Sequence, residues 1–360
     1  MVTDSTRRQL LKAALLGAAV PWMPMGCASA KKNTGQPDLI GCAMTGPDRF
    51  SAVVADSTGM PIRQVALPSR GHGVATSARL HHAVAFARRP GQYFLVFDYD
   101  TGDVVTLSAA AGDRHFYGHG VYSNDGQWLY ATEGERGSSR GIIGVYDVLA
   151  GYKKVAEFTG FGLGPHEVIV MPDDRLVIGV GGVHTDGRIP LNLATMQPSL
   201  SYLDANGHVV EQVSLPDRHL SIRHLAHDGD QTVLCGQQYR GQPEATPSLL
   251  AMHSAGEEMV SLRAEPEEWA RFDHYIASIA ATQEWILATS PRGNCYGIWS
   301  KATGQLVELS ALADASGVVV HQQCFMVSSG SGQVVSQEQP KVKTRQQSGV
   351  QWDNHWSRIT

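Results

Sequence analysis

HGVYSNDGQWLYATE, residues 119–133, is the stretch whose reading decides the fold. A histidine opens a short apolar run, Asn124, Asp125 and Gly126 make a turn, and a second apolar run follows. Asn, Asp and Gly suit a tight reversal, and the alternating flanks suit strands. The figure returns as HEVIVMPDDRLVIGV, residues 166–180, and more loosely over residues 72–87, 223–237, 274–290 and 317–329. A second hairpin recurs with it: VADSTGM (54–60), FDYDTGD (97–103), VYDVLAG (145–151), YLDANGH (202–208), MHSAGE (252–257) and WSKATGQ (299–305). Its glycine stands where the turn needs a positive φ.

Four strands repeating every 40 to 58 residues or so are the sequence form of a propeller blade. Six complete units open near His72, His119, His166, His224, His274 and Gly317. Residues 39–67 supply only three strands, and residues 349–359 supply one more. An open ring would expose two sheet edges, so pairing the terminal strands completes another blade. The expectation is an all-β, seven-bladed β-propeller closed by pairing of its N- and C-terminal strands, a single domain over residues 39–360. Six blades, or eight if the longer fourth unit is split, are the alternatives. Residues 265–272 suggest a short helical turn between blades. Residues 181–200 interrupt the period between the second and third strands of the fourth blade. A loop of that size either carries function or covers one face.

Composition agrees with a packed domain: 42% hydrophobic, 18% charged, and 38 glycines for the turns. A net charge of -5 and a pI near 6.3 exclude nucleic acid as the main partner. Residues 6–12, TRRQLLK, read as a twin-arginine export signal over residues 1–30, with residues 31–38 as a linker. The apolar run 13–20 is too short to span a bilayer. Cleavage after Ala28-Ser29-Ala30 would give a soluble chain, whereas Gly26-Cys27 as a lipobox would give a lipid anchor at Cys27, and both readings stand. The chain is expected to be periplasmic and monomeric, touching membrane only through that anchor. Cys42, Cys235, Cys295 and Cys324 lack metal-type spacing and read as small buried hydrophobes in strands.

Histidine is the outlier at 15 copies, and several are placed in phase. The first strand of a blade lines the central channel, so equivalent residues form a ring. His72, His119, His166, His224 and His274 share that phase, and His355 in the closing strand adds a sixth, whereas His321 is out of phase. Converging neutral imidazoles suit iron, copper or zinc. Glu167 adds an oxygen ligand or an acceptor that fixes a ring tautomer. Arg223, beside His224, favours instead an anionic ligand such as a carboxylate or a chelated metal. His184, Asp186 and Asn192 in the inserted loop join Glu167 and Arg223 as candidate ligand-binding residues. The alternative for each is a structural residue bonded to neighbouring backbone. No nucleophile elbow, Walker loop, dinucleotide fingerprint, H-E-x-x-H or haem-attachment motif occurs.

The chain resembles the bacterial domain-of-unknown-function family 1513 over nearly its whole mature length. The likeness rests on GHGVYSNDGQWLYATE (118–133), GPHE (164–167), GVHTDGR (182–188), LSIRHLA (220–226) and WDNH (352–355). Leu191-Asn192, Thr195-Met196 and Pro198-Ser199-Leu200 also match. The resemblance implies a twin-arginine-exported propeller related to quinoprotein-type and lactonase-type propellers. It also implies a link to periplasmic iron or other metal handling, because such proteins are encoded near imelysin-type and di-haem peroxidase-like proteins. It carries over no catalytic residue.

Three functions follow as expectations. The first is a periplasmic binding or accessory propeller that handles metal, with the histidine ring as its ligand site and metal-uptake proteins as partners. The second is a lactonase-like or oxidoreductase enzyme using His, Glu and Arg in the central opening. The third is a protein-docking scaffold that uses the inserted loop.

Overall fold

A computed structural model describes residues 35–187 and 189–359. The twin-arginine segment and Cys27 lie outside the described residues. The chain forms seven four-stranded antiparallel sheets, the seven blades of a β-propeller, and one extra two-stranded hairpin. The first blade is composite. Its three outer strands, Leu39–Gly46, Arg49–Ala55 and Pro61–Leu67, come from the N-terminal end, and its innermost strand, Gln351–Arg358, comes from the C-terminal end. Leu39 pairs with Arg358 and Met44 with Gln351, so the two ends close the ring. A closed ring leaves no unpaired sheet edge at the closure.

The remaining innermost strands are, in blade order, Gly71–Ser77, Arg114–Tyr122, Pro165–Val170, Leu220–His227, Ser278–Ala281 and Ala315–His321. Within each blade the middle strands are apolar on both faces. His82–Ala87 and Tyr93–Asp98, for example, are buried apart from their polar ends. Such strands read as continuous apolar runs because each face packs on a neighbouring blade. The outermost strands, such as Lys153–Phe158, are polar and exposed, which discourages edge pairing. Bulky aromatics wedge the blades apart at the rim: Trp269 stacks on Trp299 with ring centroids 5.4 Å apart, and Phe272 lies 5.6 Å from Trp299.

The helical turn is real but shorter than expected, Pro266–Ala270. Glu265 and Glu268 form a reciprocal capping box, and Pro266 stands at the start, where its missing N–H is not needed. The interruption in the fourth blade is a small hairpin, Thr185–Asp186 with Ile189–Pro190, and a 3-10 turn, Leu193–Thr195. Cys42, Cys235 and Cys295 are buried free thiols, and Cys324 is half-buried. Among the described residues, no helix is long and apolar enough to cross a membrane.

Candidate functional site

The innermost strands do not run straight past the hub. Register shifts in the pairing of inner strand to second strand fall between Gly71 and Val74, Phe116 and Gly120, Pro165 and Glu167, Ile222 and His224, and Ala315 and Val318. The closing strand shifts between Trp352 and Trp356. Each β-bulge re-aims the side chains it contains. His72, His119, His166, His224 and His355 lie in or at the edge of these bulges, and all five turn onto the axis. The inner strand of the sixth blade has no register shift, and it brings no histidine.

The five imidazoles pack into one cluster. Ring centroids are 4.8 Å apart for His72 and His119, 4.8 Å for His119 and His166, and 4.7 Å for His166 and His224. His355 closes the group at 4.8 Å from His224, 4.5 Å from His119 and 4.6 Å from His72. Two triads share His119: His72, His119 and His166, and His119, His224 and His355. Within each triad the donor nitrogens lie within 4.8 Å of one another. Nitrogens about 2.1 Å from a common ion stand about 3.0–3.4 Å apart, so small side-chain rotations suffice to close either triad.

Carboxylates stand behind the rings. Glu167 lies 3.5 Å from Nδ1 of both His119 and His224, and its Oε2 accepts the Leu225 amide at 2.8 Å. Asp353 lies 3.5 Å from His72 Nδ1 and accepts from Arg70 Nε at 2.5 Å. Burial alone would raise both carboxyls. The histidines beside them, with Arg70 in the case of Asp353, outweigh it and hold both well below the usual range. At 3.5 Å these contacts are electrostatic, and every ring keeps a nitrogen without a hydrogen bond: Nε2 of His119, His224 and His355, and Nδ1 of His72, His166 and His224. Burial first, and then the neighbouring rings, push His166 and His355 well below the ordinary imidazole value. Burial likewise takes His72 down to about 3. Neutral rings backed by carboxylates, with free nitrogens converging, are the form in which imidazole ligates a transition metal.

A cavity of about 110 Å³ adjoins the cluster, lined by His119, His355 and Glu167 on one side and by Ser278, Ile279 and Val318 on the other. Its second side is formed by the sixth and seventh blades. At the opposite mouth stands Arg223, 2% exposed, with Nε and Nη2 unpartnered.

Not every predicted residue reaches the hub. His274 lies four residues before the start of its inner strand in a left-handed conformation, φ 55°. Its Nε2 meets the Ala245 carbonyl at 2.6 Å, and its ring packs 5.2 Å from Tyr239. The capped helix and the turn after it consume the residues that sequence phasing assigned to the strand. In the inserted loop, Asn192 is occupied structurally: its Oδ1 accepts the His184 amide at 2.7 Å, and its Nδ2 donates to the Gly182 carbonyl at 3.1 Å. His184 Nδ1 pairs with the Ser139 hydroxyl at 3.0 Å, and Asp186 is exposed on the hairpin. His321 meets Asp38 at 3.1 Å, away from the axis.

Sequence reading missed Asp353, although it sits in the WDNH motif. It also missed Tyr117, Arg240 and Tyr275, which with Arg89 act on Arg223. Nothing in the repeat marks these last three, because they come from loops and bulges of different blades.

A family model described as "Protein of unknown function (DUF1513)" matches residues 65–359. No curated protein matches the chain. Among solved structures, a chain of the Kuenenia stuttgartiensis hydrazine synthase superposes with a TM-score of 0.61 at 13% identity, over 90% of this chain and 99% of that one. A chain of a mitotic checkpoint complex gives 0.58 at 12% identity, over 91% and 86%. Identities this low speak for the fold alone.

Proposed function

We propose, from the premise that the chain belongs to the DUF1513 family, that this propeller is a binding or accessory protein for a transition metal, held by the hub histidines. One observation carries the reading: each of the five clustered rings keeps a nitrogen without a hydrogen-bond partner, and two triads of them bring donor nitrogens within 4.8 Å of one another. Unsatisfied buried polar atoms are uncommon in a folded chain, and a cluster of them calls for a ligand. His119 lies in both triads and is the central ligand. Glu167 orients the His119 and His224 rings, and Asp353 orients His72. All-nitrogen donation with ionised carboxylates behind it suits copper, zinc or iron. Periplasmic export, drawn from the twin-arginine segment, and exchange with metal-uptake proteins belong to the same proposal.

Metal content and competitive titration test it. The chain folded in the cytoplasm and exported should carry, or take up, one of copper, iron or zinc in near-integral amount. A purified chain that holds no metal and ignores all three ends the proposal.

A further inference from the structure

A second cluster of charged side chains, arginines, stands at the mouth of the hub. Arg223 is buried at 2% exposure. Its Nε and Nη2 form one edge of the guanidinium, and neither has a hydrogen-bond partner. Arg240 Nε, half-buried, has none either. The charges acting on Arg223 are Arg240 and Arg89, and those on Arg240 are Arg89 and Arg292, so each cation faces others. Tyr117 and Tyr275 stand beside Arg223, and Tyr275 beside Arg240. The carboxylates of the hub are committed elsewhere, Glu167 to His119, His224 and the Leu225 amide, and Asp353 to Arg70 and His72.

Tyr117 and Tyr275 flank this mouth. The Arg89 guanidinium stands 5.9 Å from the Tyr117 ring centroid, and that of Arg292 stands 4.4 Å from the Tyr275 ring centroid. The Tyr117 hydroxyl faces Ser139 but makes no well-formed hydrogen bond. Gly181 brings the root of the inserted loop against Arg223; a Cβ there would stand 3.0 Å from Cζ. The arginines therefore form a cationic cluster beside two tyrosines. A buried cation without a counter-charge is strongly unfavourable, and so is an unsatisfied pair of guanidinium donors.

We propose that this arginine cluster binds a small carboxylate-type oxyanion through the Nε–Nη2 edge of Arg223, with Arg240 and Tyr117 as additional donors. Two parallel N–H bonds on one planar edge match the two oxygens of a carboxylate face. The aromatic flanks suit a planar ligand better than a tetrahedral one. Carbonate and organic carboxylates share this chemistry. The site stands on the arginines alone and does not depend on the metal proposal.

Calorimetric titration and thermal melting of the full chain, with and without prior chelator treatment, decide it. The probes are bicarbonate, oxalate, citrate and, as tetrahedral comparison, sulfate. Oxalate, citrate or bicarbonate should bind and raise the melting temperature by several degrees, in chelator-treated protein as well. Bicarbonate alone acting identifies carbonate, and oxalate or citrate acting identifies an organic acid. Arg223→Gln should abolish binding while melting no lower than the parent, because it removes an unpaired buried charge. Arg240→Gln should weaken binding on the order of 10-fold, the scale of one charge-assisted hydrogen bond. Arg79→Gln, an exposed arginine bonded to the Asp125 carbonyl, should change nothing. No binding by any carboxylate, equal binding of sulfate, or binding that survives both Arg223→Gln and Arg240→Gln overturns the proposal.

Discussion

The blades that deliver a histidine to the axis and the two that do not are built from the same four-stranded unit, yet they treat the hub in opposite ways. In the first five blades a bulged inner strand turns an imidazole inward. The inner strand of the sixth blade runs in regular register and presents Ser278, whose hydroxyl accepts the Val318 amide at 3.2 Å. The seventh blade is bulged but carries Gly317 at the turn. A Cβ on Gly317 would meet the Trp356 amide nitrogen at 2.7 Å and the His355 carbonyl carbon at 2.9 Å. The strand bearing His355 thus leans into space that only glycine leaves. The lesson is that the hub is a one-sided device: five imidazoles on one arc, and on the other the room that lets them converge.

The largest effect that could break this comparison falls on the shared ligand. His119→Ala should reduce metal affinity on the order of 100-fold, about 3 kcal/mol, in competitive titration, because both triads lose a member. Affinity that survives the change would mean that the arc does not hold the ion. On the opposite arc, Gly317→Val should destabilise the fold by about 2.5 kcal/mol in denaturant melts, since the obstructing atoms are backbone. A neutral outcome there would show that the close approach is not needed.

Acid should weaken the histidine arc next. His72 is lowered to about 3, and His166, His224 and His355 are also lowered, by burial first. Below about pH 6.5 the unfolded chain takes up protons that these folded rings refuse, so metal-free stability falls as pH drops through the window down to about 3. A loss of at least about 2.5 kcal/mol between pH 7 and pH 4.5, the share of His72 alone, is expected from denaturation midpoints, and it should shrink when several of these rings are replaced by Gln. The smallest effect is set by the histidine that stands apart. His274→Gln should leave metal affinity within about 2-fold and cost about 1 kcal/mol of stability, the scale of one hydrogen bond. A large affinity loss would place His274 back among the ligands.

Much of the hub was legible because bulge and histidine repeat together. A period of 47 residues carries His72 to His119 and His119 to His166, and the turn chemistry fixes the strands around them. His274 misled because a capped helix, Pro266–Ala270, and two left-handed residues, Asp273 and His274, displace the strand start to Ser278. Spacing along a chain does not register such a detour. The loop residues His184, Asp186 and Asn192 look functional for a similar reason. Asn192 serves its own loop backbone and His184 binds Ser139, two bonds that a motif cannot distinguish from a waiting ligand site.

By itself the sequence determined the repeating four-stranded unit, favoured seven blades closed by the chain ends, and marked six candidate axial histidines, five of which reach the hub, because alternation, turn residues and repeat length are local quantities. Only the tertiary structure decided which nitrogens face carboxylates, that Asp353 supports His72, and that Arg223 meets other cations instead of an acid. Those facts depend on groups drawn from different blades across the axis. Their encounter is set by how the wheel closes and where each bulge turns its strand, and no single segment encodes that.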